Sequence, residues 1–514
     1  PGIRVIDKLV IGKLNEVYAI VSCEKWMAQE LSDYFKFRVP GAHFIPSVKA
    51  KYWDGYIRLF QYNTGQIYYG LIPHIEKFAE SRGYSVEYDS AVRANVEFSA
   101  AEAHEFVQSL NLSIQPRDYQ YKAFVDSVRQ RRQLLVSPTA SGKSLIIYLL
   151  LRYYEEKALV IVPTTALVHQ MSTDFLEYSG GSYSSHMIMA GRDKESNELT
   201  MVTTWQSMQR LKIPYFSQFK VVIGDEAHLF KAKSLTGILE KMTATPIRIG
   251  LTGTLDGSQT HKLVLEGLFG RVNSVTSTKK LMDEGHIAKL KIKAIVLQYA
   301  DAAKKLLHDD IKAAKKNSRG GAAVAWQAEM DFLTSYQPRN IFIRNLAISL
   351  EGNTLLLFQF VEKHGKILFD LIEEKAADGR KIFFVYGGTD AETREQVRAI
   401  TEKETDAIIV ASFGTFSTGT NIRNIHNLIL ASPSKSRIRN LQSLGRSLRK
   451  SETKDTATLY DIADDLTLGA KKNTTLGHFL ERIKIYTGEK FDYKIYKVEL
   501  NDNRTTERRG RSLY

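Results

Sequence analysis

Ser137-Pro138-Thr139-Ala140-Ser141-Gly142-Lys143-Ser144 stands between an apolar run and a helix-forming run, and its residue types suit the holding of phosphate. A loop that leads from strand to helix leaves backbone N–H groups free at the helix N-terminus, where an anion is favoured. Gly142 lets the backbone approach the phosphates, Lys143 reaches the β and γ phosphates, and the Ser144 hydroxyl suits Mg2+. Pro138, Thr139, Ala140 and Ser141 complete the cradle, while Ser137 stands where the general pattern begins with Gly. Downstream, Asp225-Glu226-Ala227-His228 ends the apolar run Lys220-Val221-Val222-Ile223-Gly224. Asp225 is placed to hold Mg2+ through water, and Glu226 to polarise an attacking water. Two adjacent acids in a solvated turn are the alternative, disfavoured because open α/β sheets bind ligands at strand C-termini. His228 is read as coupling this site to the next loop rather than as a turn residue. Loop and tetrad together imply hydrolysis of a nucleoside triphosphate on Mg2+.

A third cluster, Gln442-Ser443-Leu444-Gly445-Arg446-Ser447-Leu448-Arg449, sets Arg446 and Arg449 on one helix face at i and i+3. Arginine stays ionised and planar, which suits the phosphate charge of a transition state. A basic face that is solvated or bound to nucleic acid is the competing reading, and the Gln442 and Gly445 spacing favours catalysis.

These residues need rigid elements behind them. Strands are expected at 133–137, 158–162 and 221–224, with helices at 143–154 and 166–175. A second series of strands is expected at 292–297, 354–358, 381–385, 407–410, 428–431 and 456–460, again with helices between. Wholly apolar strands alternating with helices predict parallel sheets covered on both faces. The first hundred residues read as a separate small α/β module: strand 17–21, helix 24–35, strand 56–60 and a turn at Asn63-Thr64-Gly65. A polar stretch over 90–116 is expected to be a boundary, and the Ala- and Lys-rich stretch 302–320 a mobile helical insertion. The expected domains are 1–100, 101–290, 291–470 and a basic extension, 471–514.

At 514 residues the chain exceeds one core and suggests about three domains. No window approaches the roughly 18 to 20 apolar residues that span a bilayer, and the opening at Pro1 predicts no signal peptide. Cys23 is the only cysteine, which excludes an intramolecular disulfide and a cysteine-cluster metal site and fits a reducing cytoplasm. A net charge of +14 favours a polyanionic partner over a merely solvated basic surface. Residues 1–100 carry 12 basic and 11 acidic side chains, and residues 471–514 carry 11 and 6, so the tail is the more obvious electrostatic footprint.

Taken together, the motifs resemble those of superfamily 2 helicases and translocases, whose two RecA-like domains use ATP. The resemblance covers about residues 112–465. It implies that Arg117 and Gln120 read adenine. It further implies that Thr164, in Pro163-Thr164-Thr165-Ala166-Leu167, and Thr204, Trp205 and Gln206 contact a nucleic-acid strand. Thr252 and Thr254, around Gly253, would couple hydrolysis to movement, Gly419 would lie in motif V, and Gln442, Arg446 and Arg449 in motif VI. Motif V departs from the Gly-x-Asp of many relatives, since Gly419-Thr420-Asn421 supplies an amide. The segment Tyr52-Trp53-Asp54-Gly55-Tyr56-Ile57-Arg58-Leu59-Phe60, with Tyr69-Gly70-Leu71, resembles the leading domain of phage UvsW-type recombination helicases, implying DNA contacts by Lys51, Trp53 and Arg58. The implied protein is an ATP- and Mg2+-dependent DNA helicase that remodels forks and four-way junctions, expected as a cytoplasmic monomer beside other replication or recombination proteins. An RNA helicase, the motor of a restriction system and an inactive binding scaffold are the rivals. Because every ATPase motif lies after residue 112, a chain beginning near Val96 is expected to keep nucleotide binding and lose branch migration.

Overall fold

Ala158–Val162 and Val221–Gly224 are buried at every position, as strands covered on both faces must be. They sit near the middle of a seven-stranded parallel sheet in the order Val272–Ser274, Arg132–Val136, Ile247–Thr252, Val221–Gly224, Ala158–Val162, Thr200–Thr204, His186–Ile188. The computed structural model describes residues 7–500 except 40, 90, 93–95, 190, 192, 231–232, 256–258, 317–320, 419–423, 434–455 and 470–471. Contacts divide the chain into two compact units, 1–276 and 277–514. The helix Lys143–Tyr154 buries every residue from Leu145 to Leu151, the pattern of a helix enclosed on all sides.

The second unit holds another seven-stranded parallel sheet, ordered Ile382–Val385, Ile408–Ser412, Thr354–Phe358, Asn427–Leu430, Thr456–Asp465, Lys289–Gln298, Tyr493–Glu499. Its last strand and the helix Thr474–Gly488 come from the basic segment after residue 471, so part of that segment completes the sheet. Two buried ion pairs fasten the strand Thr456–Asp465: Asp461 with Arg482 at 2.8 Å, and Asp464 with Arg339 at 2.8 Å. The Ala- and Lys-rich stretch is helical over Asp301–Lys316, and Ala303 and Leu307 lie in the core of this unit, so it is anchored rather than appended. Its end, Arg319-Gly320, lies outside the described residues.

Residues 7–89 form a four-stranded sheet, ordered Gln66–Tyr68, Tyr18–Ser22, Lys8–Lys13, Ser85–Tyr88. The helices Lys25–Tyr34 and Ile72–Arg82 pack into its core. This module is bonded into the first unit. Tyr68 donates to Glu240 at 2.6 Å, Arg132 pairs with Glu16 at 2.9 Å, and His74 meets Glu266. A Cβ on Gly70 would stand 2.1 Å from the Glu266 carbonyl oxygen, and one on Gly267 2.7 Å from Tyr68 Cβ. Glycine at both positions lets the module touch the helix Gln259–Phe269 directly. Val17 belongs to the core cluster of Leu134, Phe230 and Phe269. Cutting the chain near Val96 would therefore open a core, which corrects the expectation of a separable motor. The stretch 90–116 also differs from a linker. It holds the helix Ala100–Ser109, capped by Ser99 and Glu102, with Ala103 and Val107 buried against the helix Lys143–Tyr154 cluster.

Candidate functional site

The phosphate loop leaves the strand Arg132–Val136 and enters the helix Lys143–Tyr154 through two left-handed residues, Ala140 at φ +68° and Gly142 at φ +73°. A Cβ on Gly142 would stand 2.4 Å from Gln120 Nε2 and would displace that amide, and the left-handed φ further favours glycine. Ser137 is fully buried and its Oγ donates to Ser141 Oγ at 2.7 Å. The departure from Gly at this position thus supplies a tether across the loop. Lys143 Nζ lies 3.4 Å from the Ser137 carbonyl oxygen.

Gln120 is engaged at both ends of its amide. Its Oε1 accepts from Arg117 N at 2.8 Å, and its Nε2 donates to the carbonyls of Ser141 at 2.9 Å and Gly142 at 3.1 Å. Arg117 donates to the Tyr119 hydroxyl, which donates in turn to the Ser141 carbonyl at 2.9 Å. Arg117, Tyr119 and Gln120 therefore brace the loop in this structure. On the other side, the Ser144 and Tyr178 hydroxyls are 2.8 Å apart. Tyr178 ends the helix Thr165–Tyr178, and burial pushes its hydroxyl up to about 12, so it carries its proton at neutral pH. Neither tyrosine is visible to motif reasoning. The aromatic bracket around Tyr148, Phe175, Tyr178 and Tyr183 is a tertiary cluster.

Asp225 and Glu226 follow the neighbouring strand Val221–Gly224. Asp225 Oδ1 is buried and accepts no hydrogen bond among the described residues. Burial first, then the Glu226 charge, pushes the Asp225 carboxyl up to about 6 against the pull of Lys143. A buried carboxylate oxygen without a donor, within reach of the Lys143 charge, fits a hard cation with oxygen ligands. Glu226 takes a left-handed φ of +51°, a strained conformation for a residue with a side chain.

His228 Nδ1 lies 2.9 Å from Thr252 Oγ1 and 3.2 Å from Glu226 Oε2. The single Thr252 hydroxyl proton goes to the Thr254 carbonyl at 2.8 Å. His228 must therefore be the donor to Thr252, which fixes the proton on Nδ1. Thr254 N also approaches Thr252 Oγ1, at 3.3 Å. Glu226, His228, Thr252 and Thr254 form one chain of contacts between adjacent strands, and an ideal Cβ on Gly253 would be 3.7 Å from Thr139.

The strand-contact candidates lie at the same edge of this sheet. Thr164 follows the strand Ala158–Val162, and Thr204 ends the parallel neighbour Thr200–Thr204. Thr164 caps its helix by accepting from Leu167 N at 3.3 Å. Thr204 is buried, Trp205 half-buried and Gln206 exposed. In the N-terminal module Lys51 is exposed, Trp53 is half-buried with its indole N–H on the Tyr56 carbonyl, and Arg58 pairs with Asp54. Gly419, Gln442, Arg446 and Arg449 lie outside the described residues.

Comparison with known proteins follows the same division. Residues 14–89 match the family described as DNA helicase UvsW, N-terminal, and residues 113–257 the type III restriction enzyme, res subunit. The chain is 35% identical over 507 residues to the ATP-dependent DNA helicase uvsW of Enterobacteria phage T4, covering 93% of this chain and 97% of that one. A DNA 3'-5' translocase, XPB2 of Sulfurisphaera tokodaii, is 23% identical over 73% of this chain and 87% of its own length. Among solved structures, that of T4 UvsW covers 96% of this chain and all of its own, with a TM-score of 0.50 and 32% identity.

Proposed function

The chain belongs to the UvsW family of ATP-dependent DNA helicases, and from that premise we propose that it uses ATP to remodel branched DNA, such as forks and four-way junctions. The observation that supports this most is one continuous set of contacts. It runs from Glu226 through His228 to Thr252 and Thr254, and joins the phosphate loop where Ser137 N donates to the Thr252 carbonyl at 2.8 Å. Lys143 and the loop amides bind the phosphates, and Ser144 and Asp225 would hold Mg2+. The bound ion would neutralise charge on the phosphate oxygens. Glu226 orients the attacking water and takes up its proton. The Glu226–His228–Thr252 contacts then report the state of that carboxylate to the loop after Thr252, at the strand edge where Thr164 and Thr204 stand. Arg446 and Arg449 supply transition-state charge, and Gln442 belongs to the same sequence motif.

The N-terminal module selects the branch, through its basic residues, and the protein acts as a monomer in the cytoplasm of an infected host cell, alongside replication and recombination proteins. An RNA-helicase or restriction-motor reading is less favoured, because the match over residues 14–89 is to a DNA helicase module. The test is phosphate release by the whole protein against single-stranded DNA, duplex, fork, four-way junction and RNA. Branched DNA should stimulate most. Stimulation by RNA alone would overturn the reading.

A further inference from the structure

The N-terminal module hides a polarised lobe. Residues 36–58 carry five basic side chains and one acid, Asp54, which leaves seven basic and ten acidic on the rest of the first hundred residues. The lobe has its own two-stranded sheet, Lys36–Arg38 with Tyr56–Arg58, apart from the four-stranded one. The turn Ala42–Phe44 and the short helix Pro46–Lys49 lie between these strands. Its shape is fixed by backbone bonds: Val39 N to Gly55 O at 2.9 Å, and Tyr52 N and Trp53 N both to Ser47 O, at 2.9 and 3.2 Å. Trp53 closes the lobe through its 3.0 Å bond to the Tyr56 carbonyl.

On this fixed frame Tyr52 is 90% exposed and Phe44 71% exposed, the two highest values for large hydrophobic residues among those described. Single exposed apolar side chains are ordinary. Two protruding rings on a small basic lobe are not. Lys36 and Arg58 are engaged, with Asp33 and the Tyr56 ring and with Asp54. Arg38, Lys49 and Lys51 are exposed and make no ion pair among the described residues. Three phosphate contacts correspond to a salt slope of only about 2 to 3, too little to grip plain duplex. Rings add what charge lacks, since every base offers a π face once it is unstacked.

We propose that Tyr52 and Phe44 stack on unpaired bases at a branch point while Arg38, Lys49 and Lys51 hold the adjoining phosphates. Trp53 is thereby a positioning residue rather than a contact. The proposal rests on the reading that the N-terminal module engages branched DNA. It goes further by assigning recognition to unpaired bases, which an unbroken duplex does not present.

The test uses the full chain, with a fork carrying 2-aminopurine as an unpaired base at the branch, and a blunt duplex of equal length. Tyr52→Ala and Phe44→Ala should each weaken fork binding by about 5- to 150-fold, the range for loss of one stacked base, and leave duplex binding alike. Quenching of the 2-aminopurine should fall with Tyr52→Ala and be retained in Tyr52→Trp. Equal losses on fork and duplex, or unchanged fork affinity and quenching, would overturn the stacking assignment. Wild-type phosphate release on the same fork separates the two levels: strong stimulation with no effect of either variant sinks only this proposal, and no stimulation sinks the helicase reading itself.

Discussion

Replacing Asp225 by Asn should stabilise the protein while ending its activity. The carboxyl is pushed from an ordinary 3.8 up to about 6, chiefly by burial and then by Glu226. A folded-state pKa above the unfolded one means that the ionised group opposes folding at neutral pH. With about 1.4 kcal/mol per pKa unit, the cost is about 3 kcal/mol. The neutral amide removes that cost and leaves a buried polar group unpaired, at about 1 to 2 kcal/mol. The net gain is about 1 to 2 kcal/mol, or about 2 to 8 °C in the midpoint for a unit of this size. The gain should be full above the folded value near 6 and shrink as the pH falls from 6 towards 3.8; below that, where wild type is protonated in both states, only the amide's cost of about 1 to 2 kcal/mol remains and the variant should be the less stable. Thermal unfolding of both proteins across that range, with and without Mg2+ and ATP, reads all of this. Wild type should gain stability from the Mg2+–nucleotide pair, and Asp225→Asn should not. A variant less stable than wild type at pH 7.5 without nucleotide would refute the reasoning, because the buried charge would then not be the source of the cost.

Arg446→Ala should lower the turnover rate far more than ATP affinity, since arginine fingers contribute on the order of 10³ to 10⁵ in rate; single-turnover kinetics beside nucleotide titration would show it. Tyr178→Phe removes the hydroxyl held by Ser144 and should cost about 0.5 to 1.5 kcal/mol in stability, measured by urea unfolding, with a change in Mg2+ affinity for the nucleotide complex that a purely structural tyrosine would not cause. Removing residues 504–514, with Arg504, Arg508, Arg509 and Arg511, should flatten the salt dependence of duplex binding by about 0.9 for each lost phosphate contact; an unchanged slope in a salt titration would mean those arginines do not touch DNA.

Legibility in the sequence followed burial. The strands 158–162 and 221–224 and all six strands of the second series could be placed because their apolar runs are unbroken or nearly so. Ile247–Thr252 was hidden by Arg248, whose guanidinium is fully buried and donates to the carbonyls of Leu239, Met242 and Leu268. Thr200–Thr204 was hidden by its three threonines, and the end of Thr456–Asp465 by Asp461 and Asp464, whose partners Arg482 and Arg339 are far away in sequence. The helix Ala100–Ser109 did leave a signal, the Ser99 and Glu102 capping pair, inside a stretch otherwise read as a linker. At the site, residue types and spacing marked Lys143, Ser144, Asp225, Glu226 and His228, and the family resemblance added Thr252. Tyr119 and Tyr178 went unseen because each meets the loop only through tertiary packing. The bonding of the N-terminal module to the first unit was equally invisible, since Gly70 and Gly267 matter only when brought together.

The most direct measurement follows a four-way junction with homologous arms, one strand labelled, incubated with the full protein and ATP. The wild-type protein should drive the junction to its branch-migrated products, and Lys143→Ala should bind the junction and leave it intact. Robust DNA-stimulated ATP hydrolysis with an unmoved junction would contradict the central claim, as would migration by Lys143→Ala at the wild-type rate.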